Sequence, residues 1–363
     1  QNSILFAQVV EHINQDDNIP DGIYINDELL MHGKLVDDFF KKCDALRIAP
    51  YDINAENLFV SKGKLKVVDV HKWKRTYSMK HVPVPKYLQI ELNNTCNAKC
   101  EMCNIPNMTR CKGFMSDELF IKIVKEANEL GIEFITPFLH GEPFLRTDFV
   151  DKLKLINEFA PNAKITIFTN ASMLSDEIVQ KLKYIKNIEQ LVFSFPGGNK
   201  ETYEKVTGLD FENTVNNIKN AFKVLVNVEK RISMPKYTGN MNSEKDFYEL
   251  WKDYPCSSYN TYNYLGNISD TLSNKCYEQC DRAFRSITVL FDGQVCLCCM
   301  DSNGDYIMGN VNENSIIETW NNLKFSELRL KHGFCRLAYS PCDKCTQNLK
   351  TEEYNSAYNT SNI

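Results

Sequence analysis

The stretch Leu92-Asn93-Asn94-Thr95-Cys96-Asn97-Ala98-Lys99-Cys100-Glu101-Met102-Cys103 determines the fold and chemistry that we expect. It places three cysteines at C-x3-C-x2-C spacing directly after an alternating segment, Tyr87–Leu92, which predicts a β-strand. A loop leaving a strand tip can bring three thiolates around one inorganic cluster. Because the motif lacks a fourth ligand, a [4Fe–4S] cube held here keeps one iron open. An open iron binds a substrate or cofactor directly, as at other catalytic metal sites.

A zinc site and three unrelated thiols are the alternatives, although zinc motifs usually come as paired C-x2-C units. The triplet resembles the signature of the radical S-adenosylmethionine (SAM) superfamily. In that family the open iron is chelated by the amino and carboxylate groups of SAM. The resemblance implies that three cysteines hold the catalytic cluster: Cys96, Cys100 and Cys103.

The composition is that of a soluble globular protein. The chain has 363 residues, of which 43% are hydrophobic and 25% charged, so we expect two or three domains. A formal net charge of −5 gives no reason to expect nucleic acid, and no apolar run approaches the length of a membrane span. Fourteen cysteines, clustered in a chain without a signal pattern, favour metal sites in a reducing cytosol. We therefore expect a cytoplasmic protein.

After Tyr87, short apolar runs alternate with helical segments, which predicts parallel β/α units. The predicted strands are Tyr87–Leu92, Phe134–Phe138, Lys164–Thr169, Gln190–Ser194 and Asn227–Ser233. The predicted helices are Ser116–Leu130, Asp148–Phe159, Ser175–Tyr184 and Phe211–Leu225. The resemblance narrows this α/β fold to a partial (β/α)6 TIM-like barrel. Ligands bind at the carboxyl ends of such strands.

Candidate SAM-binding residues follow several of these strands. His140-Gly141-Glu142-Pro143 is similar to the family's Gly-Gly-Glu motif, which binds the SAM ammonium group, and here His140 stands where Gly is usual. Carbonyls beside a carboxylate suit an ammonium ion because both accept its N–H groups. The remaining candidates are Met102 near the adenine and Asn170, Ser194 and Arg231 near the ribose or carboxylate. For Arg231 a plain surface charge is the equal alternative.

A second cysteine group lies near the end of the sequence. Residues 287–298 predict a β-hairpin turning at Asp292-Gly293, followed by a helix around Ile316–His332. Together with the following C-x2-C they resemble the twitch subdomain, a shorter relative of the SPASM domain, which holds an auxiliary [4Fe–4S] cluster. The resemblance implies four protein ligands: Cys280, Cys298, Cys342 and Cys345. A structural zinc at the same cysteines is the alternative; Cys299 is interpreted as packing and Cys335 as a reserve ligand.

The segment before the barrel forms a small N-terminal module. Its three acidic and amide residues, at kinase-like spacing, weakly resemble the catalytic loop of the protein-kinase-like fold: Asp52, Asn57 and Asp69. A truncated kinase lobe and an ordinary hairpin both remain open. We expect a module over 1–85, a barrel over 86–270, a twitch/SPASM-like domain over 271–348 and a flexible tail over 349–363.

The resemblance implies that one electron, from a flavodoxin- or ferredoxin-type donor, cleaves SAM to methionine and a 5′-deoxyadenosyl radical. This radical then takes a hydrogen from an unactivated carbon. A fully ligated auxiliary cluster suits electron transfer, so we expect a two-electron oxidation of a sugar- or polyol-like small molecule. Two alternatives remain: modification of a peptide by a maturase, and a non-catalytic Fe–S or metal-binding protein.

Overall fold

A computed structural model describes residues 48–49, 58–61, 64–67, 74–75, 84–268, 280–334 and 339–346. These residues fall into two compact units. The larger unit comprises the described residues within 84–278, 284–320 and 345–346, and the smaller unit comprises the rest. The expected domain boundaries stay predictions.

In the smaller unit, strand β1 (Ile48–Ala49) pairs antiparallel with β4 (Lys74–Arg75). Strands β2 (Leu58–Ser61) and β3 (Lys64–Val67) form a second antiparallel pair. The expected tail over 349–363 and the three kinase-like candidates lie outside the described residues: Asp52, Asn57 and Asp69.

The larger unit confirms the predicted β/α fold. Its first six strands are adjacent in chain order, and every neighbouring pair is parallel, as in a partial six-stranded barrel. They are β5 (Tyr87–Ile90), β6 (Phe134–Thr136), β7 (Lys164–Thr169), β8 (Ile188–Ser194), β9 (Glu229–Lys236) and β10 (Cys256–Asn260). The predicted strands thus all form, with ends shifted by up to three residues.

Helices lie between these strands along the chain: α1 (Asp117–Glu129), α2 (Phe149–Phe159), α3 (Asp176–Leu182), α4 (Lys200–Thr207), α5 (Phe211–Val224) and α6 (Glu244–Leu250). Helix α1 shows why they form where they do. The Ser116 hydroxyl accepts the backbone N–H of Leu119 at 3.2 Å, which caps the helix. Its apolar positions recur at helical spacing and are buried: Leu119, Phe120, Ile123, Val124 and Ala127.

The C-terminal hairpin continues the barrel sheet. After the short helix α7 (Arg282–Arg285), strand β11 (Ser286–Val289) pairs parallel with β5, so that Thr288 faces Gln89. Strand β12 (Gln294–Cys296) is antiparallel to β11, and β13 (Ile307–Asn310) is antiparallel to β12. Gly293 occupies the turn with φ of +88°, as predicted.

The helix predicted around Ile316–His332 is in fact two, α8 (Ile316–Trp320) and α9 (Leu323–Phe334). The break has a local cause, because the Asn322 side chain accepts the backbone N–H of Phe325 at 3.0 Å and so caps a new helix. Within the described part of the chain, no helix is long and apolar enough to cross a membrane.

Candidate functional site

The three cysteines of the opening motif lie on the loop that follows β5, and all three are half-buried. The backbone N–H of Cys103 donates to the Cys100 carbonyl at 3.0 Å, which turns the loop back on itself. Burial, then the negative charges of Glu142 and Cys103, raise the pKa of Cys96 to about 11, against the hydrogen bonds from Ala98 and Asn170. Burial, then the thiols of Cys103 and Cys96, raise the pKa of Cys100 further. Burial also raises the pKa of Cys103. Without metal the three thiols therefore stay protonated, and iron binding displaces their protons.

The surroundings of Cys96 fit a metal-bound thiolate. Its sulfur accepts the backbone N–H of Ala98 at 3.4 Å and lies 3.9 Å from the Asn170 side-chain nitrogen. Donors directed at sulfur stabilise the negative charge that a thiolate carries. Among the described residues, no three His, Cys, Asp or Glu side chains already surround a single metal ion.

The Gly-Glu-Pro loop after β6 is joined directly to the cysteine loop. The backbone N–H of Glu142 donates to the Thr95 carbonyl at 2.8 Å. The Asn93 side chain donates to the carbonyls of Thr95 and Glu142 at 3.1 and 3.3 Å. Gly141 has φ of +144°, and a Cβ there would lie 2.7 Å from the Thr95 carbonyl oxygen. Only glycine permits this approach, so the Gly-Glu-Pro loop and the cysteine loop form one structure.

The Glu142 carboxyl is buried and faces three donors. It accepts the Thr169 hydroxyl at 2.6 Å, the Asn170 backbone N–H at 2.7 Å and that of Phe144 at 3.1 Å. Burial raises the pKa of Glu142 to about 7, against the opposing effect of these hydrogen bonds. A cation placed beside this carboxyl would favour its ionised form. This is consistent with the predicted role of Glu142 toward the SAM ammonium group, which stays a prediction.

The raised pKa predicts a pH-dependent stability that Glu142→Gln should remove. The folded protein holds this proton up to about pH 7, whereas the unfolded chain releases it near the ordinary value of 4.5. The stabilisation is therefore complete below pH 4.5 and is lost as the pH rises to 7, by about 3 kcal/mol at most. Thermal unfolding of the metal-free wild type and variant between about pH 5 and pH 8 tests this prediction. Equal slopes for both proteins would contradict it.

The structure brings some predicted residues together and leaves others apart. His140 is 5% exposed, with Nδ1 3.6 Å from a Glu91 carboxylate oxygen. Asn170 and Ser194 stand at the carboxyl ends of neighbouring strands. Met102 is buried against Val206 and Tyr237, with Cys100 packed on the same cluster.

Arg231 is placed differently from the other candidates. It lies near the amino end of β9, opposite Val192, and its guanidinium is 4.0 Å from Glu229. The strand continues five residues beyond it to Lys236. A role of Arg231 toward the SAM carboxylate stays a prediction. Of the candidate SAM-binding residues, Arg231 has the position that supports such a role least.

Sequence reasoning missed a buried ion pair behind the cysteine loop. Glu91, fully buried after β5, accepts two hydrogen bonds from the Arg110 guanidinium and one from the Phe291 backbone at 3.3 Å. Burial raises the pKa of Glu91, but the contacts with His140 and Arg110 outweigh it and lower the pKa overall. The only signal in the sequence is an acidic residue between two core residues, Ile90 and Leu92.

The same arginine connects the cysteine loop to the hairpin region. Arg110 Nε donates to the Ser302 carbonyl at 2.7 Å, and the Asn104 side chain donates to the Ser302 hydroxyl. The backbone N–H of Thr109 donates to Asn303 at 2.9 Å. These contacts hold the segment after Cys103 in a fixed position within the larger unit.

The predicted auxiliary ligands are divided between the two units. Cys298 and Cys345 belong to the larger unit, and Cys280 and Cys342 to the smaller. The sulfur of Cys298 accepts the backbone N–H of Met300 at 3.4 Å. Cys299 is buried, in keeping with the packing role expected for it. Cys335 lies outside the described residues. The choice of these four as ligands stays a prediction.

Comparison with known proteins identifies the family. Residues 90–250 match the Radical SAM superfamily, and residues 280–346 match the SPASM iron-sulfur cluster-binding domain. The S-adenosyl-L-methionine-dependent 2-deoxy-scyllo-inosamine dehydrogenase of Niallia circulans is 25% identical over 273 residues, 73% of this chain and 95% of that protein. The probable GTP 3′,8-cyclase of Saccharolobus islandicus is 28% identical over 138 residues, 38% of this chain and 44% of that protein. The chain thus spans less than half the length of this cyclase relative.

Solved structures show the same fold. BtrN in complex with AdoMet and 2-DOIA superposes with a TM-score of 0.55 at 20% identity, covering 75% of this chain and 98% of that one. Streptococcus suis SuiB bound to precursor peptide SuiA gives a TM-score of 0.58 at 15% identity, covering 90% and 77%. At these identities the likeness concerns the fold alone.

The parallel barrel, the cysteine loop and these matches together place the chain in the radical SAM superfamily. Its C-terminal part is a SPASM/twitch domain, so the chain combines a radical SAM domain with an auxiliary-cluster domain. Both domains imply their cofactors, which are SAM with its [4Fe–4S] cluster and an auxiliary cluster.

Proposed function

We propose that this enzyme oxidises a sugar- or polyol-like substrate by two electrons, using SAM as the source of the hydrogen-abstracting radical. The observation that carries the proposal is the direct joining of the cysteine loop to the Gly-Glu-Pro loop. When bound, the open cluster supplies the electron that cleaves SAM to methionine and a 5′-deoxyadenosyl radical. An auxiliary cluster held by Cys280, Cys298, Cys342 and Cys345 would supply the acceptor for the second substrate electron.

The residues of the chain position and shield this chemistry. Cys96, Cys100 and Cys103 would hold the cluster and, as three ligands, would leave one iron position for the SAM amino and carboxylate groups. Glu142 supplies a buried carboxyl for the ammonium group, held in place by the donors of Thr169 and Asn170. Burial of Glu142 and Thr169 keeps water away from this carboxyl.

The substrate class rests on the relatives. The dehydrogenase of Niallia circulans acts, by its name, on 2-deoxy-scyllo-inosamine, and the alignment covers 95% of that protein. This supports oxidation of a cyclitol-like alcohol by the present chain. SuiB was solved with a precursor peptide, and its coverage of 90% of this chain supports peptide modification as the second candidate. The proposal also includes that the enzyme works in a reducing compartment and receives its electron from a small electron-carrier protein.

A SAM-cleavage assay tests the enzymatic proposal. The protein is reconstituted anaerobically with iron and sulfide, reduced with dithionite and supplied with SAM. We expect 5′-deoxyadenosine from the wild type and only background from the Cys96→Ala/Cys100→Ala/Cys103→Ala variant. Equal yields from both proteins would favour a non-catalytic Fe–S protein.

Product masses then separate the substrate classes. With 2-deoxy-scyllo-inosamine as the probe, oxidation gives a product two mass units lighter in equal yield with 5′-deoxyadenosine. Cleavage of SAM without such a product, together with a crosslink in a supplied peptide, would replace the proposal by the peptide alternative.

A further inference from the structure

The loop after β7 directs an amide group at a cluster cysteine. Asn170 Nδ2 lies 3.9 Å from the sulfur of Cys96 and donates to Asn97 Oδ1 on the same loop at 3.0 Å. From the sequence alone, Asn170 was expected to bind SAM. The structure places its side-chain nitrogen against the cysteine loop, and the expected role toward SAM stays a prediction.

The orientation of this amide is fixed by its other end. Asn170 Oδ1 accepts the backbone N–H of Ser172 at 3.0 Å and the Ser172 hydroxyl at 2.7 Å. A backbone N–H can only donate, so the oxygen of the Asn170 amide must face Ser172 and its NH2 group must face the cysteine loop. The usual ambiguity between the oxygen and nitrogen of an asparagine is therefore resolved by its partners.

The backbone beside Asn170 is strained. Ala171 is fully buried and has φ of +62°, a left-handed conformation that costs a non-glycine residue roughly 1–2 kcal/mol. Such strain persists only where the surrounding structure imposes it, and it concentrates at functional sites.

Helix α5 and strand β7 impose this conformation on the loop. The side chain of Asn217 donates to the carbonyls of Ala171 and Ser172 at 2.9 and 3.2 Å. Asn213 adds a donor to the Ser172 carbonyl at 3.0 Å, and the Ala171 N–H donates to the Thr169 hydroxyl at 2.9 Å. The loop is thus held so that the Asn170 amide meets the cysteine loop.

From this geometry we infer that Asn170 is a positioning residue that tunes the SAM-binding cluster by donating a hydrogen bond to the Cys96 sulfur. The inference rests on the proposed role of Cys96 as a cluster ligand. Reduction adds negative charge to the cluster and its sulfur ligands, and an N–H donor stabilises that charge. The contact therefore makes the cluster easier to reduce. The backbone N–H of Ala98, 3.4 Å from the same sulfur, adds to this effect.

A redox titration followed by electron paramagnetic resonance tests the inference without any turnover. The reconstituted full chain is titrated anaerobically, and the SAM-binding cluster is recognised by the change of its signal when SAM is added. In Asn170→Leu and Asn170→Asp we expect a midpoint potential more negative than in the wild type. The shift should be larger for Asn170→Asp, which replaces the donor by a negative charge. The auxiliary cluster serves as the internal reference and should not shift.

Asn187→Leu is the matched control. The Asn187 side chain is also part-buried and donates to two carbonyls, those of Ala160 and Ala163 at 3.4 and 2.9 Å, but these belong to the turn before β7. Asn187→Leu should leave the midpoint potential unchanged.

If Asn170→Leu does not retain the cluster, the variant Ser172→Ala tests the inference in its place. That variant loosens the Asn170 amide while keeping its donor, and it should give a smaller shift in the same direction.

An unchanged midpoint potential in the Asn170 and Ser172 variants would overturn the inference. Failure of the proposed function is recognised separately, since it would show as wild-type protein that assembles the cluster but forms no 5′-deoxyadenosine.

Discussion

Gly141→Ala is expected to destabilise the protein by about 2–5 kcal/mol and to prevent assembly of the SAM-binding cluster. At φ of +144° the backbone is in a region that side chains rarely adopt, and the new Cβ would lie 2.7 Å from the Thr95 carbonyl oxygen. Relief requires the Gly-Glu-Pro loop to move away from the cysteine loop. That movement breaks the hydrogen bond from Glu142 to Thr95, directly before Cys96.

Thermal unfolding and iron content after reconstitution measure the two expected effects of Gly141→Ala. Gly131→Ala is the control, because Gly131 also has positive φ, at +68°, but a Cβ there meets nothing within 4 Å. It should cost roughly 1–2 kcal/mol from conformation alone and leave the iron content unchanged. Normal cluster assembly in Gly141→Ala would show that the two loops are not structurally coupled.

Arg110→Met is expected to lower the free energy of unfolding by about 3–5 kcal/mol, because it leaves the fully buried Glu91 carboxylate without its cation. The substitution also removes the contact from Arg110 to the Ser302 carbonyl. We therefore expect the segment after Cys103 to loosen and cluster assembly to fall with stability. Chemical denaturation of the metal-free protein measures the first effect.

Lys181→Met is the control for this ion pair. Lys181 and Glu177 form an exposed pair at 2.7 Å one helical turn apart on α3, so its loss should change stability little. The double variant Arg110→Met/Glu91→Leu should recover much of the loss, since it removes both buried charges. Equal effects of Arg110→Met and Lys181→Met would contradict the interpretation of Glu91 as a buried carboxylate that depends on its partner.

Much of the fold could be predicted because the barrel strands and helices carry regular apolar patterns. Strand β10 was missed because its sequence, Cys-Ser-Ser-Tyr-Asn, has no alternation of apolar and polar residues. Its pairing with β9 places it in the sheet. Helix α4 was missed because it is short and mostly polar, with few buried residues to set a period. Strand β10 is therefore defined by its pairing with β9, whereas α4 is capped locally by Asn199 and Gly208.

The candidate site also has features that the sequence predicts and features that only the structure shows. Cysteine spacing and the Gly-Glu-Pro motif are local signals, and they indicated two loops that the structure joins. The Glu91–Arg110 pair and the direction of the Asn170 amide depend on residues far apart in sequence. Asn170 shows the difference clearly, because its position at a strand end was predictable and its partner was not.

The parallel pairing of β5 with β11 also bears on how the protein matures. Strand β5, which leads into the cysteine loop, is emitted early from the ribosome, whereas β11 follows only after the whole barrel has been synthesised. At typical rates of translation the nascent chain waits on the order of ten seconds or more with one edge of β5 uncovered. An uncovered strand edge is open to pairing with other chains until the hairpin has been synthesised.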